Sequence, residues 1–337
     1  MKQITLKTPE QFEFHDVPEP EAAASEAIIR VKHIGICGTD LHAFKGNQPF
    51  FSYPRILGHE LSAEIVSING DSDSFVVGDA VSLIPGVACG NCIACRNSKQ
   101  HCCTTLNVIG VHSDGGMRDL MPVPLTNLLH IHDMKSEHAA LIEPLAIGAH
   151  AVRRAAIQQG ETIMVIGAGP IGIGIMQFAK VAGADVIAMD INDDRLAFCE
   201  NTLGVMATVN ALNNPHDTIK EITNQDFPTV VIDATGSPRS MTNAVTYLAH
   251  GGRLVFVGIF IGDIEINDIE FHKRETSLLS SRNASHEDFE YVIECLSNER
   301  VSADIMINRE CSFADMINEF PAWTDPASGV IKAVITL

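Results

Sequence analysis

Long apolar segments are missing from this 337-residue sequence. No run approaches the ~20 residues that a membrane-spanning helix needs. The N-terminal stretch MKQITLKTPEQFEFHDVPEPE contains acids and prolines. It lacks both the apolar centre of a secretory signal and the arginine-rich amphipathic pattern of a transit peptide. These absences argue against a membrane protein and predict a cytoplasmic location. Internal repeats and low-complexity segments are missing as well.

Basic residues are also scarce, because 23 lysines and arginines stand against 42 acids and give a formal net charge of −19. A surface of this sign repels nucleic acid phosphates and anionic lipids, so we expect neither as a partner. An anionic substrate would have to be held by a local group of cations. With 46% hydrophobic and 19% charged residues, the chain has the composition of a globular protein. Its length predicts about two domains.

Four cysteines in one short stretch, ACGNCIACRNSKQHCC, form the most informative motif. They follow the spacing Cys-x2-Cys-x2-Cys-x7-Cys and are Cys89, Cys92, Cys95 and Cys103. The short gaps let neighbouring thiolates converge on one ion, and the longer arm brings in the fourth. A disulfide cluster is the alternative, but a reducing cytoplasm favours metal. We therefore predict a structural zinc site without an open coordination position. Cys102 breaks the spacing and is left out.

The sequence changes in character near residue 136. Before it, short β-type runs alternate with Gly, Pro and Asp, which predicts an irregular β-rich domain. SEHAALIEPLAIGAHAVRRAA then predicts a helix that Ser136 caps and that is interrupted near Pro144. Apolar strands alternate with helices beyond it, as in a doubly wound parallel sheet. We predict an α/β protein with a β-rich, zinc-binding domain over 1–147 and 282–337 and a nucleotide-binding domain over 148–281.

A glycine-rich turn opens the second domain. GAGPIG follows the apolar strand TIMVI and begins a helix, which is the context of the dinucleotide-binding Rossmann fingerprint. The first two glycines allow a tight turn and a close approach to pyrophosphate, and the third lets the helix pack on the strand. The predicted cofactor-binding residues of this turn are Gly167, Gly169, Pro170, Ile171 and Gly172.

Asp190 ends the next strand, 18 residues after Gly172. An acid at this place accepts hydrogen bonds from both ribose hydroxyls and repels a 2′-phosphate, so NAD should be preferred to NADP. A solvated turn is the alternative for Asp190. Arg195 is expected to pack beside the adenine. Because ligands of such sheets bind at the carboxyl ends of the strands, Thr235 of DATG and Val257 of VFVG should line the nicotinamide end.

A second group of possible metal ligands lies in GICGTDLH and GHE. Together with the four-cysteine stretch, EPLA, GAGPIG and DATG, these segments resemble the zinc-dependent medium-chain alcohol and polyol dehydrogenases over essentially the whole chain. The resemblance implies a GroES-like catalytic domain, a Rossmann domain, one catalytic and one structural zinc ion, and NAD. It also implies a homodimer or homotetramer, in which the strand RLVFVGIF near the sheet edge can pair with its symmetry mate.

By this resemblance Cys37 and His59 bind the catalytic zinc ion. The further carboxylate ligand stays open between Glu60 and Glu143, which stands where the polyol branch has its glutamate. Zn²⁺ with one thiolate and two carboxylates totals −1, which would weaken the Lewis acid. One carboxylate is therefore expected to bind through water, or the two to exchange, so that a coordination position stays open for the substrate oxygen.

Two residues near Cys37 match the proton relay of the family. Thr39 supplies a hydroxyl and His42 an imidazole, whose pKa suits proton transfer near neutral pH. A plain surface histidine is the alternative for His42. In this scheme zinc lowers the pKa of the substrate hydroxyl, and the substrate carbon passes hydride to nicotinamide.

Several segments, including GNQPFFSYPRILGHE and EFHKRETSLLSSRNASHEDF, are similar to bacterial hexonate 5-dehydrogenases. Those enzymes oxidise L-galactonate to D-tagaturonate, or L-gulonate to D-fructuronate, with NAD. We predict L-galactonate as the substrate, with L-gulonate as the alternative and a polyol or polyol phosphate after them. A non-catalytic NAD-binding sensor is the alternative from another class, but it would not need the whole catalytic set.

A hexonate carboxylate needs a cation. Arg282 is favoured because it aligns with a polyol-family arginine near the zinc-ligand glutamate; neutralising Glu143 and Glu60 is its other, compatible role. The remaining candidate cations are Arg55, Lys273 and Arg274. The candidates for contacts with sugar hydroxyls, or for a plain solvent loop, are Asn47, Gln48 and Phe50.

Overall fold

The computed structural model describes residues 1–48 and 51–337, which form two compact units. The first consists of Met1–Pro144 and Ser285–Leu337, and the second of Leu145–Ala284. Among the described residues, no helix has both the length and the apolar character that crossing a membrane requires.

The strands of the described residues are β1 Lys2–Thr8, β2 Gln11–Asp16, β3 Glu26–Gly35, β4 Glu60–Asn69, β5 Ala80–Leu83, β6 Gly86–Val87, β7 Asn107–Val108, β8 Leu120–Pro124, β9 Leu128–His130, β10 Thr162–Ile166, β11 Asp185–Asp190, β12 Ala207–Asn210, β13 Val230–Asp233, β14 Arg253–Phe256, β15 Ser277–Ser280, β16 Ile307–Ser312 and β17 Lys332–Thr336. The α-helices are α1 Gly38–Phe44, α2 Ile93–Arg96, α3 Ser136–Ala139, α4 Ile142–Ala155, α5 Pro170–Val181, α6 Asp193–Phe198, α7 Pro215–Ile222, α8 Pro238–Asn243, α9 Asp268–Lys273, α10 His286–Ser297 and α11 Met316–Trp323.

The first unit is built on a mostly antiparallel sheet in the order β16-β17-β3-β4-β5-β9, with β8 also paired to β3. Strand β17 pairs antiparallel with β3, so the last segment of the chain completes this sheet. Two small sheets, β1-β2 and β6-β7, accompany it. Part of the core is an aromatic cluster of Phe12, Phe44 and Phe320, whose ring centroids lie 5.0 to 5.2 Å apart.

The second unit has one parallel sheet in the order β12-β11-β10-β13-β14-β15. Counted from β10, this is the order 3-2-1-4-5-6 of the Rossmann fold. Central strands such as β10 (TIMVI) and β13 (VVID) are apolar and almost wholly buried, as expected when helices cover both faces of a sheet. The predicted fold class, a β-rich GroES-like domain with a doubly wound Rossmann domain, is confirmed.

The strand predicted to pair with a second copy lies inside the sheet. Arg253–Phe256 of RLVFVGIF forms β14, which is hydrogen-bonded to β13 on one side and to β15 on the other. The backbone groups of Arg253–Phe256 are therefore satisfied within the chain, so these four residues are not free to pair with a symmetry mate. The two edge strands of the sheet are β15, Ser277–Ser280, next to β14, and β12 on the opposite side. Assembly into a dimer or tetramer stays a prediction.

The helix predicted from residue 136 is two helices. The break between α3 and α4 falls before Pro144, which lies in the first turn of α4, where its missing N–H needs no partner. Ser136 does not cap α3, because the N-cap residue is Lys135. The Ser136 hydroxyl instead hydrogen-bonds His33 Nδ1 at 2.9 Å and Ser62 Oγ at 2.8 Å.

Candidate active site and metal centres

The four predicted cysteines of the first unit converge on one point. Their sulfur atoms all lie within 4.8 Å of one another, and they belong to Cys89, Cys92, Cys95 and Cys103. The Cys92–Cys95 and Cys89–Cys95 sulfur distances are 3.5 and 4.0 Å. A disulfide bond is ~2.05 Å long. The disulfide alternative is therefore excluded, and all nine cysteines of the chain are free. Cys102 is not part of the group.

Local structure brings the four thiols together and shifts the pKa values of two of them. Helix α2 brings Cys92 and Cys95 onto one turn, and the Cys89 amide donates to Cys103 Sγ at 3.3 Å. Hydrogen bonds from the backbone of Cys95 and Thr104 lower the pKa of Cys92 to about 5, whereas burial raises that of Cys95 to about 12. At neutral pH a thiol with so high a pKa is protonated, and a bound cation would lower that pKa and favour the thiolate. Four thiols at this spacing fit a tetrahedral zinc ion with no open position.

A second group of possible ligands joins residues from two neighbouring segments of the first unit. One ligand atom from each of Cys37, His59 and Glu60 lies within 4.8 Å of the other two. Cys37 is the N-cap of α1, and its amide donates to Asp40 Oδ2 at 2.9 Å. His59 and Glu60 lie where the chain enters β4. A soft thiol, an imidazole and a carboxylate together suit zinc.

The Asp40 carboxylate lies beside the Nδ1 atom of His59. Its buried carboxylate places Oδ1 3.6 Å from His59 Nδ1 and accepts from the Gly58 amide at 3.4 Å. Burial alone would lower the pKa of His59, but the charge of Asp40 holds it well above its usual value. With Nδ1 towards Asp40, Nε2 is the ring nitrogen left for a metal, and carboxylates commonly orient ligand histidines in this way. Sequence reasoning missed Asp40, although it follows Cys37 by three residues, the spacing of a helix-capping pair.

Glu60 is fully buried and paired with Lys332 of β17. The Lys332 Nζ atom lies 2.7 Å from both carboxylate oxygens of Glu60 and donates to the Ile36 carbonyl at 3.0 Å. Burial alone would lower the pKa of Lys332, but Glu60 raises it above its usual value, so the amine is charged at neutral pH. Sequence reasoning missed this residue as well. Its only signal is a charge in the otherwise apolar segment VIKAVITL.

Glu143, the other predicted carboxylate ligand, lies in the first turn of α4 and outside the 4.8 Å group. Burial raises its pKa to about 7; the charge of His59 acts against this, and the charge of Glu60 adds to it. The surroundings of His59 and Glu60 thus contain more acidic groups than Lys332 and His59 neutralise. A divalent cation would balance that excess of negative charge, and the donor set therefore fits the zinc ion of the prediction.

The two residues of the predicted proton relay are on α1. Thr39 is half-buried and His42 is exposed, three residues further along the helix. Neighbours at this spacing lie on the same side of a helix. This arrangement is compatible with a path from the Cys37 end of the helix to solvent.

The residues predicted to contact the substrate differ in their exposure and in their hydrogen-bond partners. Arg55 is half-buried and hydrogen-bonds Asp114 at 3.3 Å and Ser52 at 2.9 Å. Arg282 is exposed, just after β15 of the second unit. Lys273 and Arg274 of the second unit both contact Glu270, at 2.6 and 3.2 Å. Asn47 is exposed and Gln48 half-buried, whereas Phe50 lies outside the described residues.

The glycine-rich turn of the second unit has the backbone that its sequence predicts. Gly167 has φ of +100°, a conformation that favours glycine. Gly169 is the N-cap of α5, and Pro170 and Ile171 are its first residues. A methyl group on Gly172 would overlap the carbonyl oxygen of Gly167, so the third glycine allows the helix to begin directly against the turn.

Asp190 and Arg195 both contact this turn. Asp190 Oδ2 accepts from the Ala168 amide at 2.6 Å, and Oδ1 accepts from the Asn192 amide at 2.9 Å. Arg195 Nη1 donates to the Ala168 carbonyl at 3.3 Å. Asp190 is thus placed at the turn by backbone hydrogen bonds, and its carboxylate keeps lone pairs for further donors.

Thr235 and Val257 are joined through Asp233, a fully buried residue at the end of β13. The Asp233 carboxylate accepts from the Thr235 hydroxyl at 2.7 Å and from the Ser240 hydroxyl at 2.5 Å. Its carbonyl accepts from the Val257 amide at 2.9 Å. One residue therefore organises both loops at the carboxyl ends of β13 and β14.

Comparisons with known proteins give the family of this chain. The family described as alcohol dehydrogenase GroES-like domain matches residues 23–133, and that described as zinc-binding dehydrogenase matches residues 170–298. The chain is 40% identical to L-galactonate-5-dehydrogenase of Escherichia coli K12, over 100% of this chain and 99% of the relative. This chain belongs to the zinc-binding dehydrogenase family. The resemblance found in its motifs is confirmed, and the protein is an oxidoreductase.

Two further matches are a relative named for a sugar-acid substrate and a crystal structure with a bound nicotinamide cofactor. The chain is 30% identical to 2-dehydro-3-deoxy-L-galactonate 5-dehydrogenase of Pseudoalteromonas atlantica, over 88% of this chain and 87% of the relative. It also matches the crystal structure of the alcohol dehydrogenase rspB of Escherichia coli CFT073 complexed with NADH. That match has a TM-score of 0.94 and 30% identity, and it covers 100% of this chain and 99% of the other.

Proposed function

We propose that this zinc-binding dehydrogenase oxidises a secondary hydroxyl of a sugar acid with NAD, most specifically L-galactonate to D-tagaturonate. The observation that carries the proposal is full-length similarity to L-galactonate-5-dehydrogenase at 40% identity, in a chain that also has the Cys37, His59 and Glu60 donor group. L-gulonate, oxidised to D-fructuronate, is the alternative substrate, and a polyol or polyol phosphate follows it. We further propose a cytoplasmic homo-oligomer with one catalytic and one structural zinc ion, held by the two groups of possible metal ligands.

The residues of the first unit have separate roles in this proposal. Cys37, His59 and a carboxylate hold the zinc ion, which when bound supplies the Lewis acidity that polarises the substrate hydroxyl. The Thr39 hydroxyl would take up the substrate hydroxyl proton while it releases its own proton towards His42, and the His42 imidazole would pass a proton to solvent. The carbon that bore the hydroxyl loses a hydride to NAD, so the substrate is oxidised by two electrons, NAD is reduced to NADH and one proton is released.

The second unit supplies the cofactor site. Its turn from Gly167 to Gly172 receives the pyrophosphate, Asp190 the adenosine ribose, and Thr235 and Val257 the nicotinamide end. Arg282 binds the substrate carboxylate, because a protein of net charge −19 repels an anion unless a local cation attracts it. The NADH complex of rspB supports a nicotinamide cofactor for this fold.

A substrate panel tests the proposed reaction. We expect zinc-loaded protein to form NADH from L-galactonate with a kcat/KM at least about tenfold above that for L-gulonate, sorbitol or galactitol. L-gulonate differs in hydroxyl configuration and the two polyols lack the carboxylate, so each leaves polar groups of the site unpaired. NADH absorbance gives the rate, and chromatography identifies D-tagaturonate. A protein that contains two zinc ions and forms no NADH with any aldonate or polyol would instead support the sensor alternative.

Asp190→Ala should relax the preference for NAD. The substitution removes the carboxylate that would repel a 2′-phosphate, so the ratio of kcat/KM for NADP to that for NAD should rise by about tenfold or more. Affinity for both cofactors should also fall, because the Ala168 amide loses its acceptor. Asp194→Ala, an exposed acid in the first turn of α6, is the matched control. An unchanged ratio in Asp190→Ala would remove Asp190 from this role.

A further inference from the structure

A buried lysine stands behind the proposed catalytic metal site. Lys332 is 1% exposed, and its ammonium group has three donors. Its three acceptors are the two Glu60 oxygens, each at 2.7 Å, and the Ile36 carbonyl at 3.0 Å. Every hydrogen-bonding position of the ammonium is therefore used, and the lysine cannot reach another partner without leaving Glu60 unpaired in the interior.

Three adjacent strands in the sheet of the first unit, β17, β3 and β4, bring Lys332 and Glu60 together. Gly35 of β3 lies opposite Glu60 of β4 in the strand register, and Val334 of β17 lies opposite Gly35 on its other side. A methyl group on Gly35 would overlap the Glu60 carboxylate. The glycine thus leaves the space that the carboxylate fills, and β17 presents Lys332 to both of its oxygens.

The ion pair removes an electrostatic difficulty of the ligand set. Glu60 belongs to the group with Cys37 and His59, and Glu143 is a second acid of the same pocket. A thiolate and one carboxylate balance the charge of Zn²⁺, and a second carboxylate leaves a net −1, which weakens a Lewis acid. The ammonium of Lys332 cancels one of these negative charges. A carboxylate has about four lone pairs, so Glu60 can accept from Lys332 and still face a metal.

We propose that Lys332 is a positioning residue that fixes the Glu60 carboxylate and neutralises its charge, so that Glu60 can serve in the metal group without lowering the acidity of the metal. This inference rests on the proposed zinc-dependent function. The proposal predicts that loss of Lys332 changes zinc affinity and kcat differently, whereas loss of a merely structural lysine would lower both. Without Lys332, the uncompensated negative charge of Glu60 would increase the affinity for a cation. The same charge would reduce the ability of the metal to lower the pKa of a substrate hydroxyl.

The test is a double-substitution cycle of Lys332→Met and Glu60→Gln in the full chain. Metal affinity is measured by competition with a chromogenic zinc chelator, and turnover by NADH formation. Lys332→Met should bind the catalytic zinc ion at least as tightly as the unsubstituted protein, while kcat falls by about 10- to 100-fold, the usual range for residues behind metal ligands. Lys32→Met, which removes a lysine from the half-exposed Lys32–Glu64 pair of the same sheet, should change neither quantity.

The other two variants keep the proposal falsifiable if Lys332→Met alone does not fold. Glu60→Gln leaves the buried ammonium uncompensated and should weaken zinc binding by about tenfold or more, whereas Glu60→Gln with Lys332→Met removes both charges and should recover most of the lost affinity. Weaker zinc binding in Lys332→Met, or a double variant that binds zinc no better than Glu60→Gln alone, would overturn the proposal. Zinc affinity needs no substrate, so a negative substrate panel would contradict the proposed function and leave this result intact.

Discussion

Replacing Cys37 with serine should remove one of two zinc ions and lower kcat by about a thousandfold or more. The thiolate is the metal-binding form of cysteine, and a serine hydroxyl does not ionise near neutral pH to replace it. Metal-ion stabilisation of developing charge is worth several kcal/mol, and about 4 kcal/mol corresponds to roughly a thousandfold in rate. Zinc content is measured by atomic emission, and turnover by NADH formation with the best substrate of the panel.

The fold should survive this substitution. Cys37 is the N-cap of α1 and is only half-buried, and serine is itself a favoured N-cap residue. The backbone amide of residue 37 would still donate to Asp40. We therefore expect a cooperative thermal transition close to that of the unsubstituted protein. Cys102→Ser is the matched control, because Cys102 belongs to neither metal group, and it should keep both zinc ions and full turnover. A Cys37→Ser protein with full activity would refute the proposed zinc mechanism.

Gly172→Ala should have the largest effect on the second unit. The added methyl group would overlap the carbonyl oxygen of Gly167 and come close to the carbonyl carbon of the same residue, so backbone and not a flexible side chain would have to move. Overpacking of this kind costs about 1–3 kcal/mol, and we expect the upper end. In a unit of this size that corresponds to a Tm lower by about 10 °C. Affinity for NADH, measured by its fluorescence, should fall by at least tenfold, since the displaced turn is the proposed pyrophosphate site.

Gly169→Ala provides the comparison within the same turn. Its added methyl group would meet only the Nη1 atom at the mobile end of Arg195, at 3.4 Å, and Gly169 has φ of −80°, which alanine adopts readily. Its Tm should change by no more than about 3 °C, the effect of less than ~1 kcal/mol. Equal Tm values for the two variants would show that the contact between Gly172 and Gly167 does not limit stability.

The features that the sequence predicts well are those in which the chemistry lies within a few consecutive residues. The four cysteines needed only their spacing to predict a common point, and the sulfur atoms converge as expected. The turn from Gly167 to Gly172 likewise follows from one strand, one glycine pattern and one helix, and the Rossmann strand order confirms its context. Local conformational preferences and short loops are enough to form both.

Predictions that depended on neighbours distant in sequence were less successful. The strand RLVFVGIF has the composition of many sheet strands, and nothing in it shows that β15 occupies its outer side. Ser136 has the residue type of a helix cap, but its hydroxyl bonds His33 and Ser62 of two other strands. In each case a tertiary partner overrides a local preference.

The sequence by itself determined the family, two groups of possible zinc ligands in outline and the glycine-rich turn, because each is encoded by a motif with its own chemistry. Only the tertiary structure decided how the acids around Cys37 and His59 are balanced. Lys332 and Glu60 are 272 residues apart, and Asp40 and His59 belong to different segments. The energetic cost of a buried charge depends on the groups beside it. Here those groups become neighbours only when the β-sheet of the first unit forms.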